Sequence, residues 1–468
     1  MDRLTAAQLA GLAGARLLGD PAVLVGPRVV IDSRQAEPGA LFVALPGERV
    51  DGHDFAATAV GGGAAAVLVT RELGVDVPQL VVPDALAGLT ALATGLVARA
   101  KADLLTVVGI TGSSGKTSTK DLIAAVLSAA GPTVAPVGSF NNEVGVPLTA
   151  TGVDAGTRYL VSEMGARAHG DIAMLCRITP PDIGVVINVG HAHLGEFGSV
   201  AGIARAKGEL VEALATEGWA VLNAEDPRVA AMAGRTTARI ASFGATARPL
   251  SGDLRVWAEQ IGADPLQHHS FLLCTDAGRA RVSLRVAGVH QVGNALAAAA
   301  VALTLGLDVA EIAAALSAAE PASRWRMELA ERADGLLVVN DAYNANPDSM
   351  AAALRSLAGM RRPQGRLIAV LGDMLELGGT AYTEHRQIGE LAGSLGVDHL
   401  LAVGEFAAAI AEGARRQGTA ATVVADRTAA VAALNTLVSP SDVVLVKASR
   451  GLALESVAQQ LLGEGQWA

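Results

Sequence analysis

Thr111-Gly112-Ser113-Ser114-Gly115-Lys116-Thr117-Ser118 follows an apolar run, Leu104 to Ile110, and precedes Lys120 to Ala129, which reads as a helix. A glycine-rich turn between a buried strand and a helix points several backbone N–H groups into one concavity. The helix N-terminus adds partial positive charge there. A lysine placed as Lys116 is can reach terminal phosphates, and the Thr117 hydroxyl can hold Mg²⁺. The longer P-loop pattern wants glycine five residues before Gly115, where Ile110 stands, so this is the shorter TGxxGK[TS] form. The bland alternative is a Gly/Ser-rich turn with a chance lysine. Strand, loop and helix fall in the order that favours a nucleoside triphosphate site.

The chain around this stretch has 468 residues, too many for one core, so two to four domains are expected. Half of it is apolar but only 3% is aromatic, so helices must pack through Ala, Val, Leu and Gly. Net charge is −10 and no basic run exceeds two or three residues, which argues against nucleic acid and anionic membranes as partners. An acidic chain that binds polyphosphate must concentrate positive charge in a dedicated loop. Cys176 and Cys274 lie far apart without metal spacing and read as buried thiols in a reducing compartment. Met1-Asp2-Arg3-Leu4 lacks the basic start of a secretory signal. Ala295 to Leu307, the most apolar run, is too short to span a bilayer. The expectation is a soluble cytoplasmic protein with no stable membrane insertion, acting as a monomer.

Three units are expected. Residues 1–102 carry short apolar strands at Val29–Ile31, Leu41–Ala44 and Ala66–Val69, with a junction at Lys101-Ala102-Asp103. Residues 103–318 alternate strand and helix, which predicts a mostly parallel sheet covered on both faces. Its strands are read at Leu104–Ile110, Tyr159–Glu163, Ile183–Val189 and Trp219–Asn223, with 240–288 as a small β-rich subsheet. Residues 319–468 have strands at Leu336–Asn340, Leu367–Leu371, Leu400–Val403, Thr422–Ala425 and Val443–Lys447, separated by helices as in a doubly wound domain.

Several residues fall where such sheets bind ligands. Glu163 ends a strand, at the sheet edge that suits a Mg²⁺ ligand, although a solvated loop acid reads the same way. Asn188-Val189-Gly190-His191-Ala192-His193-Leu194 follows another strand, and its imidazoles can bind metal or orient phosphate. Lys207, within Ala206-Lys207-Gly208-Glu209, reads by itself as a surface lysine. Asn294 stands near a helix start and can either cap it or read an adenine edge. Asn340 to Met350 is dense in polar groups between strand and helix. It is either a turn with an N-cap or a ligand loop.

Together these motifs resemble the Mur ligases, ATP-dependent amide-forming enzymes of peptidoglycan assembly. The family loop TG(T/S)xGKT(T/S) accounts for the missing glycine. A strand-end Glu, N-x-x-x-x-H-L and A-K-x-E match Glu163, Asn188 to Leu194 and Ala206 to Glu209, and H-x-x-x-N-A-L-A-A matches the stretch around Asn294. Within the family the likeness is greatest to the enzymes that add D-alanyl-D-alanine. It rests on Phe140 to Leu148, Asp341 to Met350, Gly372 to Gly378, Lys447 to Gly451, the Arg326-Met327-Glu328 triplet, and Asp32-Ser33-Arg34 and Asp51 to Phe55 near the N-terminus. Position 448 is Ala where this type often has Gly, and 240–288 carries no motif.

The resemblance implies an α/β chain of three domains. A central P-loop ATPase-like parallel sheet is flanked by an N-terminal α/β UDP-binding domain and a C-terminal Rossmann-like doubly wound domain. ATP would phosphorylate the terminal carboxylate of UDP-N-acetylmuramoyl tripeptide, and the amine of D-Ala-D-Ala would attack the acyl phosphate. Lys116 would neutralise the transferring group. Thr117, Glu163, His193 and a carbamylated Lys207 would hold Mg²⁺. Asn294 would contact adenine, with Arg326 and Asp341 near the γ-phosphate and ribose. Ser33 and Arg34 would take the uridine diphosphate. Asn141, Asn142, Asn344, Asn346, Ser449 and Arg450 would meet the substrates. The nearest alternative, the ligase that adds the third amino acid, carries D-N-P-R where this chain has Asn344-Ala345-Asn346-Pro347. A folylpolyglutamate synthetase-like ligase would lack the Asp32-Ser33-Arg34 domain. A P-loop switch would leave a 150-residue third unit without purpose.

Overall fold

The computed structural model describes residues 1–47, 50–191 and 194–463. Its centre is a nine-stranded sheet that positions the phosphate loop. The strand Thr106–Thr111 runs parallel between Tyr159–Glu163 and Ile183–Val186. All three are apolar runs buried on both faces, as a parallel sheet between two helical layers requires. On one face the helices Lys116–Ala130, His290–Thr304 and Val309–Ala318 close over Ile110, Val161 and Val185. Asp171–Ile178 and Val200–Glu212 cover the other. The alanine-rich run is thus a core helix. Its small side chains let it lie close against Lys116–Ala130.

Residues 240–288 are not a separate subsheet. Arg239–Gly244 pairs parallel with Trp219–Asn223, and Leu254–Ala263, His268–Thr275 and Arg279–Ala287 extend the same sheet, the last two antiparallel. The alternation seen in sequence marks a half-exposed edge, not an independent core.

The third sheet, six-stranded, has the strand order Glu328–Glu331, Leu337–Asn340, Val443–Lys447, Leu367–Gly372, His399–Val403, Ala420–Val424. All pairings are parallel except that of the first strand. Helices lie on both faces, as expected of a doubly wound unit. The first unit has a five-stranded sheet that adds Arg16–Leu18 and Gln79–Val81 to the three strands read from sequence.

The expected junction at Lys101-Ala102-Asp103 is the last turn of a helix, Ala85–Asp103. Leu89, Leu92 and Leu96 pack into the first unit's core, while Ala93, Val97 and Ala100 join the central one. Lys101 Nζ then ties the helix to Asp182 Oδ1 at 2.7 Å. One helix serves two cores, so the boundary carries no loop signal. Among the described residues no helix is long and apolar enough to cross a membrane.

Candidate active site

The strand Thr106–Thr111 ends in the loop that turns into the helix Lys116–Ala130. Gly115 turns the chain at φ +79°, and a Cβ there would lie 3.0 Å from Asn294 Oδ1. Both facts demand glycine. The Asn188 amide holds the loop open: its Oδ1 accepts from the N–H groups of Ser113 and Ser114 at 2.9 and 3.0 Å. Lys116 is half-buried on the cleft wall, and its ammonium donates to the Gly112 carbonyl at 2.8 Å. Burial pushes its pKa down, the nearby Glu163 carboxylate opposes this, and the Arg326 charge adds to it. The folded chain withdraws this side chain partly from water, where a cation acts more strongly on a phosphoryl group.

Glu163 pairs in register with Ile110, so its carboxylate stands beside the start of the loop. It is 1% exposed; Oε1 accepts from Asn141 Nδ2 at 2.8 Å, while Oε2 is buried without a partner. A buried carboxylate oxygen left unpaired next to a phosphate loop and the buried Thr117 hydroxyl is a donor set that suits a hard divalent cation. Lys207 is no surface lysine. It is 4% exposed, and burial, then the charge of Lys116, hold its pKa well below the usual range. Burial therefore favours the neutral amine, the form that takes up CO₂ to become a carbamate. His193 lies outside the described residues. Among those described, no three His, Cys, Asp or Glu side chains converge as a metal site.

The third unit supplies the opposite wall. Trp325 and Met327 both adopt left-handed backbone, φ 60° and 51°, at a cost of about 1–2 kcal/mol each. This kink presents Arg326, whose guanidinium stacks 4.3 Å from the Tyr343 ring and whose buried Nε has no partner. Asp341 holds the kink, accepting from Met327 N–H at 3.0 Å through Oδ1. Its Oδ2 receives Lys447 Nζ at 2.6 Å, and Lys447 also donates to the Asn344 carbonyl at 2.9 Å. The Tyr343 hydroxyl meets Ser139 Oγ across the cleft.

A single cleft of about 800 Å³ is lined by Ser113 to Ser118, Asn141, Asn142, Glu163, Asn294, Arg326, Asp341, Asn344, Asn346, Ser449 and Arg450. Lys207 and Gly112 are buried and are not among its lining residues. Asn294 does not cap its helix: Val289 precedes the first turn, and Asn294 Nδ2 donates to Gln291 Oε1 at 2.8 Å one turn in. Asn346 does cap: its Oδ1 accepts from Ser349 N–H at 2.9 Å, and Ser349 Oγ accepts from Asn346 N–H at 3.1 Å. Ser449 Oγ accepts from Leu375 N–H at 3.0 Å, Arg450 stacks on Trp325 and pairs with Glu455, and Asn142 Oδ1 accepts from Gly145 N–H. Asn344, exposed, keeps its side chain free toward the cleft.

Among the described residues of the first unit, only Ile31 reaches the cleft. Ser33 and Arg34 form a short 3₁₀ turn capped by Asp32, and the Arg34 guanidinium folds back on the Asp32 carboxylate at 2.7–3.2 Å. Asp51 and His53 brace this unit internally, His53 Nε2 accepting from Thr70 N–H at 2.9 Å.

Sequence reading passed over Lys447, His290 and Asp348. Lys447 ends a buried strand at the binding edge, a signal that was visible. His290 opens its helix and lines the cleft, with burial holding its pKa down at about 4. Asp348 looks in sequence like an ordinary first-turn acid.

Comparison with known proteins agrees with this geometry. The chain matches the Mur ligase middle domain over residues 110–302. It matches the Mur ligase glutamate ligase domain over 325–450 and the Mur ligase family catalytic domain over 28–94. It is 48% identical to the UDP-N-acetylmuramoyl-tripeptide--D-alanyl-D-alanine ligase of Mycobacterium bovis, covering 99% of this chain and 98% of that one. Its identity to the enzyme of that name from Escherichia coli is 38%, over 99% and 100%. The crystal structure of MurF from Acinetobacter baumannii superposes with a TM-score of 0.86 at 34% identity over 99% of both chains. MurF from Thermotoga maritima in complex with ADP does so at 0.75 and 30%, over 92% and 96%. By fold, cleft and full-length identity, the chain belongs to the Mur ligase family.

Proposed function

We propose that this chain joins D-alanyl-D-alanine to UDP-N-acetylmuramoyl tripeptide, with ATP cleaved to ADP and phosphate, and so forms the pentapeptide precursor of peptidoglycan. The observation that carries this is the cleft itself. A phosphate loop with Lys116, the unpaired oxygen of Glu163 and the Arg326–Asp341 wall of a second α/β unit share one space. Residues 1–102, 103–318 and 319–468 then act as donor-binding, ATP-binding and acceptor-closing domains in a cytoplasmic enzyme.

A carboxylate attacking the γ-phosphate brings two anions together, so positive charge must be fixed in place beforehand. Lys116 on the loop and Arg326 on the opposite wall supply it. The acyl phosphate so formed would be lost to water in an open site. The third unit's wall over the loop keeps it dry until the acceptor amine attacks and phosphate leaves. Thr117, Glu163 and Lys207 as its carbamate, with His193, would hold Mg²⁺, which polarises the phosphoryl oxygens. Asn294 lies within reach of Gly115 and would read the adenine edge. Asn141 braces Glu163. Asn344 is the best placed of the acceptor candidates, because the Asn346 oxygen caps its helix, Ser449 Oγ accepts from Leu375 N–H and Arg450 pairs with Glu455.

Phosphate release tested with several nucleotide-peptide donors against several acceptors decides the reading. Release should require the tripeptide donor and D-Ala-D-Ala together. Turnover with a dipeptide donor and a free diamino acid would assign the preceding ligase step instead. ADP release without an acceptor amine would indicate a nucleotide switch.

A further inference from the structure

One side chain of the third unit that the proposed chemistry does not use reaches the segment beside the phosphate loop. Asp348 sits in the first turn of the helix Pro347–Gly359. A carboxylate there commonly serves its own helix N-terminus. Here Oδ2 instead accepts from the backbone N–H of His191, in the central unit, at 3.0 Å. The approach depends on Gly190: a Cβ at that position would lie 2.0 Å from Asp348 Oδ2. Gly190 N–H in turn donates to Ser113 Oγ at 2.9 Å, inside the phosphate loop, and Asn346 Nδ2 points at the Ser113 carbonyl at 3.5 Å. A path of four residues thus runs from the third unit's helix N-terminus to the loop, through a gap that only glycine leaves open.

We propose that Asp348 is the positioning residue that holds the third unit closed on the phosphate loop. Its carboxylate is the bolt and the Gly190–His191 backbone the keeper. In this role Asp348, although it lines the cleft, acts through the placement of the third unit: it sets the fraction of molecules in which Arg326 and Asp341 face Lys116. This rests on the ligase reading for its kinetic consequence only.

Losing this exposed charge-assisted hydrogen bond should lower the closed-to-open ratio by about fivefold to tenfold. Asp348→Ala is therefore expected to lower kcat by that factor while the Kd for ATP, measured by binding, stays within about twofold. Asp348→Asn keeps an acceptor oxygen for His191 N–H and is expected within about threefold of the parent kcat. Gly190→Ala should resemble Asp348→Ala, and the double variant should be no worse than either, since both remove one contact. Small-angle scattering of the ligand-free proteins should show a larger radius of gyration for Asp348→Ala, with the melting of each unit unchanged. The proposal is overturned if Asp348→Ala keeps the parent kcat, loses ATP affinity in parallel, or leaves the radius unchanged. It is equally overturned if Asp348→Asn falls as far as Ala or if the two substitutions add. Should the parent protein release no phosphate with the proposed substrates, the ligase reading fails, and the scattering comparison still decides the bolt.

Discussion

His290 makes acid stability the sharpest quantitative test of the interior. Its imidazole stands at the first turn of the helix His290–Thr304, on the cleft wall, with Nδ1 enclosed and unpartnered. Burial is the main cause of a pKa lowered from 6.5 to about 4. Asp341 opposes the shift, and the charges of Lys447 and His269 add to it. The folded value lies below the unfolded one, so the native chain stays neutral while the unfolded chain takes up a proton as pH falls through 6.5. Stability is thus lost between about 6.5 and 4, and the loss is complete below the folded value. At 1.36 kcal/mol per unit, the drop from pH 7.5 to 5 costs about 2 kcal/mol from this one side chain. For a unit of this size that is roughly 4–8 °C in Tm. Replacing His290 by Gln removes the titration but keeps a polar side chain. Other acid-sensitive groups are the same in both proteins, so the difference between their Tm-against-pH curves isolates His290. Calorimetric scans at half-unit steps should show the parent losing Tm relative to the variant as pH falls. Parallel curves would refute the buried, neutral imidazole.

Four further outcomes are expected. Lys116→Ala should cut kcat by about 10²–10³ or more with little change in Tm, measured by phosphate release and thermal melting. Lys207→Ala should lose most activity, regained in part with formate or acetate. Lys207→Met should melt higher than the parent near neutral pH, because the buried amine that the unfolded chain protonates below 10.5 is gone. Near-normal kcat in Lys207→Ala would remove this lysine from the metal site. Lys447→Met strands the Asp341 carboxylate, whose pair with Lys447 is almost wholly buried, and should destabilise by about 3–5 kcal/mol. Adding Asp341→Asn should return part of that in urea unfolding. Arg34→Ala should raise KM for the nucleotide-peptide donor far more than for ATP, and an equal rise for both would move Arg34 away from the donor site.

The local signals carried far into the fold. Strand, glycine turn, lysine and helix follow one another within Thr106–Ala130, and backbone sterics leave little choice about how such a segment folds. The same holds for the buried strands of the third sheet, whose apolar runs between helices admit little but a doubly wound arrangement. Glu163 was legible for the same reason: the end of a parallel strand is a fixed place relative to its neighbours.

What failed in sequence failed where one residue answers to two partners distant along the chain. The helix Ala85–Asp103 shows a single apolar pattern yet feeds two cores. The strands of 254–287 look like their own sheet because the parallel edge they join is out of sight. Lys207 reads as a surface lysine because the burial that lowers its pKa comes from elements packed around its helix. Asn346 and Ser449 look like ligand groups until the cap and the loop bonds that consume them are seen. By itself the sequence determined the phosphate loop, the strand-end acid and the family, because each is written in residues adjacent along the chain. Only the tertiary structure decided which charges are desolvated, which polar groups remain unspent, and that Asp348 rests on the backbone beside Gly190. Desolvation and hydrogen-bond competition depend on neighbours that the chain brings together only when folded.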